Sequence, residues 1–424
     1  MKYKHSHYNI EFKVDDKKYI YNPYKGIFKL KDELYYAYNN LENASDKEKK
    51  ILLDKKLIVD SKISEYGRVK LIRDISRLNE KQLFLSIAPT FSCNFLCEYC
   101  FVKKSNMLMN EDVEKEIVDF VEKRLKEGLK ILRITWLGGE PLLNMESIKR
   151  LSIKFITLCD KYECDYSAFI ITNGSLLTTE YIKIFKTLNI NGIQITIDGS
   201  EVSHNLLRPM KKENSYKKIM KNLLSIEDLK FNLRINISKE NLEDVNELIK
   251  YISNTNIKGK ILDTHISPIY STDYMNEETR EKCLNNYEFA KMEINLIKEI
   301  LVSGIAKKFD LLPMIVGSSK EVFWSFSIDP EGNVYKDEYY LGNKEYRIGK
   351  LKDISVNHMT NNRIAMECLN NNPIDNSKCE KCNVLPLCMG GNIQHFYEST
   401  HNSCSSIRYN IEEKLKLYVD RMDI

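Results

Sequence analysis

Three cysteines crowd into the stretch Thr90-Phe-Ser-Cys93-Asn-Phe-Leu-Cys97-Glu-Tyr-Cys100. The spacing C-x3-C-x2-C puts three thiolates on one short loop. Three thiolates can hold three irons of a four-iron cubane and leave the fourth iron without a protein ligand. An open metal position can chelate a small cofactor, as the open position of a catalytic zinc does. Structural zinc is the competing reading, but such sites take four ligands, and the first cysteine or histidine after Cys100 is Cys159. A second set, Cys379-x2-Cys382-x5-Cys388-x15-Cys404, supplies four thiolates. Four suit either zinc or a fully ligated iron–sulfur cluster. The other four cysteines, Cys159, Cys164, Cys283 and Cys368, are scattered.

The first cysteine loop follows a strand-like run, Leu83-Phe-Leu-Ser-Ile-Ala, and from there strands and helices alternate. Strands are predicted at 131–137, 167–172, 193–197, 231–237 and 261–267. Helices are predicted at 110–128, 145–162, 178–188, 215–225, 241–254 and 278–303. Six β/α units imply a parallel sheet, because parallel neighbours need crossovers. Six units curl into a partial barrel rather than close one of eight, and the cysteine loop then lies at the C-terminal mouth, where active sites of such barrels sit. Before the barrel, residues 1–80 read as a small α+β unit. Alternation in Tyr8-Asn-Ile-Glu-Phe-Lys-Val, a turn at Asp15-Asp16 and runs at 19–22 and 26–30 mark strands; helices follow near 32–42 and 46–57, the second capped by Ser45. After about 310 regularity fades into a hairpin at 326–335, the second cysteine set and a helix near 407–421. The expected fold class is therefore α/β: a partial (β/α)6 barrel over 81–305, an N-terminal α+β domain over 1–80 and a loop-rich, cysteine-bearing extension over 306–424.

Composition narrows the setting. Hydrophobic residues make up 43% and charged residues 29% of the 424, a globular balance, and the net charge is +4. No strongly basic tract points to nucleic acid, and no apolar run reaches the ~18 residues of a membrane span. The N-terminus shows no signal-peptide apolar core, so a cytoplasmic protein is expected. Disulfides are then disfavoured, and clustered cysteines point to metal.

With Tyr99 before its last cysteine, the first loop resembles the signature of the radical S-adenosylmethionine (radical SAM) superfamily. Four further motifs occur in that family's order: Gly138-Gly-Glu-Pro141, Thr172-Asn-Gly174, Thr196-Ile-Asp198-Gly199 and His204-x3-Arg208-Pro209. The resemblance spans roughly 83–405. It implies a [4Fe-4S] cluster on Cys93, Cys97 and Cys100, with S-adenosylmethionine at the open iron. An electron passed to the sulfonium then gives methionine and a 5′-deoxyadenosyl radical, which takes a hydrogen atom from an unactivated carbon. The resemblance also implies a cofactor-binding set. Gly138 and Gly139, with Glu140 and Pro141, would meet the methionine amino group. Arg208, a fork of donors suited to carboxylates, would meet its carboxylate. Thr196 would meet the ribose, and Tyr99 and Phe101 the adenine. Asn173 belongs to the same set by position; neither it nor Asp198 has a role that the residues define. A strand-end turn, core packing and a surface arginine are the plain alternatives.

The region after 310 resembles that family's auxiliary-cluster extension, called SPASM, which favours a second [4Fe-4S] cluster over zinc at Cys379, Cys382, Cys388 and Cys404. The full extension has two auxiliary clusters. Here Asp337 stands where a ligand of the first belongs, Asn392 stands at another, and 316–322 contains no cysteine. All the losses fall on the first auxiliary cluster, so a single auxiliary cluster is expected, with Asp337 as a candidate proton acceptor beside the emptied position. Proteins resembling this one mostly modify ribosomally made peptides. That implies a precursor peptide whose leader is captured by the N-terminal unit, resembling a winged-helix domain that adds the leader as a strand, and a flavodoxin- or ferredoxin-type reductant. Formation of a thioether or carbon–carbon cross-link is the expected reaction. Peptide epimerisation, for which a free cysteine would have to donate hydrogen, sulfatase-type maturation and a non-catalytic iron–sulfur role are the alternatives.

Overall fold

The computed structural model describes residues 2–271, 275–306, 311–370, 372, 374–391 and 404–420. Asn392 lies outside them. The N-terminal unit runs β1 (Tyr3–His5), β2 (Ile10–Val14), β3 (Lys17–Asn22), β4 (Gly26–Phe28), α1 (Asp32–Asn39), α2 (Asp46–Asp54), β5 (Ile58–Asp60) and α3 (Glu65–Arg77). The Asp15-Asp16 turn closes the β2–β3 hairpin with both residues at positive φ, the geometry that fits the twist of paired strands. Ser45 and Glu48 cap the start of α2 reciprocally. The third helix, α3, was not expected from the sequence; Ser64 caps it at Gly67, and its exposed Leu71, Ile72 and Ile75 blur the apolar stripe by which a helix is recognised.

The barrel strands are β6 (Gln82–Ile87), β7 (Ile131–Trp136), β8 (Asp165–Thr172), β9 (Ile190–Thr196), β10 (Phe231–Ile237) and β11 (Ile261–Pro268). They are parallel and adjacent in sequence order. Between them run α4 (Glu111–Lys126), α5 (Met145–Tyr162), α6 (Thr179–Thr187), α7 (Glu201–Leu207), α8 (Ser215–Ser225) and α9 (Asp244–Ser253). Burial alternates strictly along β6, β7 and β10, and the buried set forms one continuous core with the helices. The long helix expected at 278–303 is two, α10 (Glu277–Glu281) and α11 (Asn286–Val302), because Asn285 opens the second with a capping box to Glu288.

The extension is less separate than its sequence suggests. Its hairpin, β12 (Ser325–Ile328) and β13 (Asn333–Tyr335), joins the barrel sheet, with β12 parallel to β6. A short β14 (Gly349–Lys350) makes nine strands. Beyond come α12 (Val356–Asn361), α13 (Arg363–Asn370), α14 (Ser377–Glu380), α15 (Leu385–Cys388) and α16 (Ile407–Val419). The N-terminal sheet packs here: Ile10, Phe12, Tyr19 and Tyr21 share a core with Val384, Leu387, Ile411, Leu415 and Val419. Arg73 of α3 and Glu321 are a fully buried ion pair, and the Arg77 guanidinium donates to the Leu369 carbonyl at 2.8 Å. Among the described residues, no helix is long and apolar enough to cross a membrane.

Candidate active site

A cavity of about 370 Å3 opens at the C-terminal ends of the barrel strands. Each of the six strands sends residues to it: Cys93, Cys97 and Cys100 follow β6; Gly138 and Gly139 follow β7; Thr172 and Asn173 close β8; Thr196 ends β9; Arg234 and Asn236 lie on β10; Pro268 and Tyr270 close β11. Glu338 and Tyr339 of the extension form a further wall. All three thiols of the first set therefore face one chamber, as ligands of a shared cluster must.

The cysteine loop is held from two sides. On one, the Gly139 N–H donates to the Thr90 carbonyl at 3.0 Å and the Glu140 N–H to that of Ser92 at 2.8 Å. A Cβ on Gly139 would stand 2.1 Å from the Ser92 oxygen, so only glycine permits this approach. The glycines thus line the chamber, and the N–H groups of Gly139 and Glu140 are spent on the cysteine loop. On the other side, the Leu96 N–H donates to the Pro209 carbonyl at 2.7 Å and the Glu98 N–H to that of Leu207 at 3.1 Å. Lys104, which no sequence pattern marked, donates from Nζ to the Phe95 carbonyl at 2.7 Å and lines the chamber. Burial pushes the Cys93 thiol up to about 11, against a pull from Lys104.

Glu140 and Pro141 do not line the chamber. Glu140 is fully buried behind it. Its carboxylate accepts from the Asn173 N–H at 2.8 Å, the Thr172 hydroxyl at 2.8 Å and the Leu142 N–H at 3.1 Å. It ties the β7 loop to the β8 loop instead of contacting a ligand. Asn173 extends the tie by donating to Asn94 Oδ1, inside the cysteine loop, at 2.8 Å.

Asp198 gains the role that its sequence left open. Fully buried, it accepts a short hydrogen bond from the Tyr99 hydroxyl, accepts from the Asn236 N–H at 2.8 Å, and stands 3.6 Å from Arg208. Arg208 Nη1 donates to the Tyr99 oxygen at 2.5 Å. The two residues assigned to opposite ends of the cofactor are thus locked to one carboxylate. The polar side chains of Arg234 and Asn236 within the apolar run of β10 were a legible signal: alternate residues of a strand share a face.

Asp337 is neither on the chamber wall nor on the surface. It is buried, caps the turn that begins at Glu338, and faces Lys320 at 3.8 Å. Its neighbour Glu338 reaches the chamber instead, with its carboxyl pushed up to about 7 by burial and then by the Asp337 charge. None of Cys159, Cys164, Cys283 or Cys368 lines the chamber.

The second cysteine set lies where the N-terminal unit meets the extension. Cys379 and Cys382 pack against a group formed by Tyr8, Val69, Ile374, Leu385 and Met389. Burial pushes the Cys388 thiol up to about 12, and Cys382, Cys379 and Cys404 push in the same direction, so the four are near enough to act on one another. Among the described residues, no group of three or more His, Cys, Asp or Glu side chains is gathered closely enough to hold a metal ion.

Three thiols at the mouth of a partial barrel are a set that would hold three irons of a four-iron cluster and leave the fourth for a cofactor. Residues 87–252 match the Radical SAM superfamily model, so this part of the chain is a radical SAM domain, the domain of a family that uses a [4Fe-4S] cluster and S-adenosylmethionine. It is 25% identical over 336 residues to a cysteine-type anaerobic sulfatase-maturating enzyme of Clostridium novyi, covering 73% of this chain and 88% of that one. It is 26% identical over 254 residues to the radical SAM cyclopropyl synthase TigE of Paramaledivibacter caminithermalis, covering 55% of this chain and 51% of the synthase. Two solved structures share the fold. One is anSMEcpe with bound AdoMet and the Cp18Cys peptide, at TM-score 0.61 and 20% identity over 80% of this chain and 98% of that one. The other is Streptococcus suis SuiB bound to precursor peptide SuiA, at TM-score 0.52 and 13% identity over 96% and 99%.

Proposed function

We propose that this chain is a cytoplasmic peptide maturase that joins two residues of a ribosomally made precursor through a thioether or carbon–carbon bond. The observation that carries the reading is a single chamber lined both by Cys93, Cys97, Cys100 and Arg208 and by Glu338, Tyr339 and Arg234. When bound, the cluster and S-adenosylmethionine supply a 5′-deoxyadenosyl radical that removes one hydrogen atom from the peptide. Closing a bond then releases one more proton and one electron. Glu338 takes the proton, and an auxiliary cluster held by Cys379, Cys382, Cys388 and Cys404 would supply an electron acceptor within the chain. Tyr99, Arg208 and Asp198 orient the cofactor, and the ring of Phe101, 4.5 Å from that of Tyr339, helps close the chamber against water. Cys379, Cys382, Cys388 and Cys404 hold the auxiliary cluster, the N-terminal unit holds the leader, and a flavodoxin- or ferredoxin-type protein supplies the first electron.

The test is anaerobic incubation of the reduced, reconstituted chain with S-adenosylmethionine and a precursor peptide encoded beside it. Formation of 5′-deoxyadenosine with loss of two hydrogens from the peptide supports the reading. Release of 5′-deoxyadenosine with an unchanged peptide mass and an inverted residue would replace it with epimerisation. A second reading follows from the Clostridium novyi relative: oxidation of a cysteine in a sulfatase-type peptide. Conversion of that thiol to an aldehyde by this chain would favour it.

A further inference from the structure

Tyr8 is 1% exposed, and its hydroxyl has no hydrogen-bond partner among the described residues. A buried tyrosine hydroxyl ordinarily finds an acceptor. Tyr8 is also firmly placed. Its N–H donates to Ser6 Oγ at 3.3 Å, and Ser6 donates to Glu65 at 2.6 Å. The ring of Tyr24 stands edge-on at 6.4 Å. The side chain belongs to the apolar group against which Cys379 and Cys382 pack, and the Cys382 thiol is among the groups that act on it. A buried donor without a partner, in the apolar group against which two of the four cysteines pack, suits a sulfur acceptor.

We propose that the Tyr8 hydroxyl donates a hydrogen bond to a sulfur of the auxiliary cluster held by Cys379, Cys382, Cys388 and Cys404, so that the N-terminal unit sets part of that cluster's reduction potential. The inference rests on the assignment of those four cysteines to a cluster. Hydrogen bonds to cluster sulfurs raise the potential, because they stabilise the more negative, reduced state.

The experiment uses the full chain with Cys93, Cys97 and Cys100 changed to alanine, which isolates the auxiliary cluster's signal, and follows its reduction by electron paramagnetic resonance during a potentiometric titration. Tyr8→Phe should keep the iron content and lower the midpoint by about threefold in the reduction equilibrium, or about 28 mV for one electron at 59 mV per tenfold. 3-Fluorotyrosine at residue 8, nearly isosteric and a stronger donor, should raise it. Unchanged midpoints in both proteins at full iron content would overturn the proposal. So would loss of auxiliary iron in the 3-fluorotyrosine protein, which would assign Tyr8 to packing alone. Absence of iron from the Tyr8 parent would overturn the cluster assignment itself, an outcome distinguishable from the others by iron analysis.

Discussion

Asp198 does three jobs with one carboxylate: it receives the Tyr99 hydroxyl, receives the Asn236 N–H and faces Arg208. Hydrogen bonds to a charged group are worth about 1.5–3 kcal/mol, and 1.4 kcal/mol is a factor of ten in affinity. Asp198→Asn keeps the shape and removes the charge. It should weaken S-adenosylmethionine binding by roughly tenfold to a hundredfold in calorimetric titration, with iron content unchanged; equal affinity would deny that the lock matters. Glu338 gives a pH prediction. Its carboxyl, pushed up to about 7, shares the chamber with Arg208, Arg234 and Lys104, and is flanked by Asp337 and Lys320. A carboxylate accepts a proton only once ionised, so peptide conversion should rise as pH passes upward through about 7. Glu338→Gln should flatten that limb and slow conversion by about 10²-fold or more. The same shift has a stability consequence. Between the ordinary 4.5 and about 7 the folded chain binds more protons than the unfolded one, so stability falls as pH rises across that window, and the glutamine variant should show less of this dependence, since the buried Glu140 is raised as well. The sequence pointed to Asp337, one residue away. Residue type and neighbourhood were legible there; which of two adjacent carboxylates turns inward was not, because a turn, with no period, decides it.

At the scale of elements, the strands and their order were readable, since β6, β7, β8 and β10 bury one face in strict alternation and helices follow the strands. Less readable was what the loops after the strands do to each other. Gly138 and Gly139 suggested close approach, and the partner proves to be the cysteine loop itself. Gly139→Ala would put a Cβ 2.1 Å from the Ser92 oxygen and 2.6 Å from its carbonyl carbon, which forces backbone to move. Such overpacking costs about 1–3 kcal/mol, and here the displaced element carries the cluster ligands. The variant should fold, take up less iron at Cys93–Cys100 and keep the auxiliary iron. Gly128→Ala is the matched control. Its φ is +97°, but a Cβ there meets nothing within 4 Å, so it should cost backbone strain without loss of iron. Mössbauer or iron analysis on single-cluster variants separates the two sites. Equal iron loading in Gly139→Ala and Gly128→Ala would sink the close-approach account.

At the scale of the whole molecule, a boundary near residue 80 is easy to draw in sequence, because the barrel pattern begins just after it. The structure ties the two sides together away from that boundary. Arg73, wholly buried, donates from Nε to Glu321 Oε2 at 3.0 Å, with a second short bond from Nη2 to the same oxygen. The Phe323 N–H donates to the Arg77 carbonyl at 2.8 Å, and the Tyr66 hydroxyl to that of Ile374 at 3.0 Å. Contacts this distant in sequence leave no periodic trace, which is why α3 and its partners were not foreseen. Removing one member of a buried pair leaves the other charge uncompensated, at a cost of about 3–5 kcal/mol. Arg73→Ala should therefore lower the melting temperature and loosen the segment leading to Cys379, so that auxiliary iron falls while Cys93, Cys97 and Cys100 keep theirs. The double variant Arg73→Met with Glu321→Leu removes both charges and should recover most of the stability and the auxiliary iron. If Arg73→Ala instead lost iron equally from both sites, the N-terminal unit would be a support of the whole barrel and not specifically the seat of the second cluster.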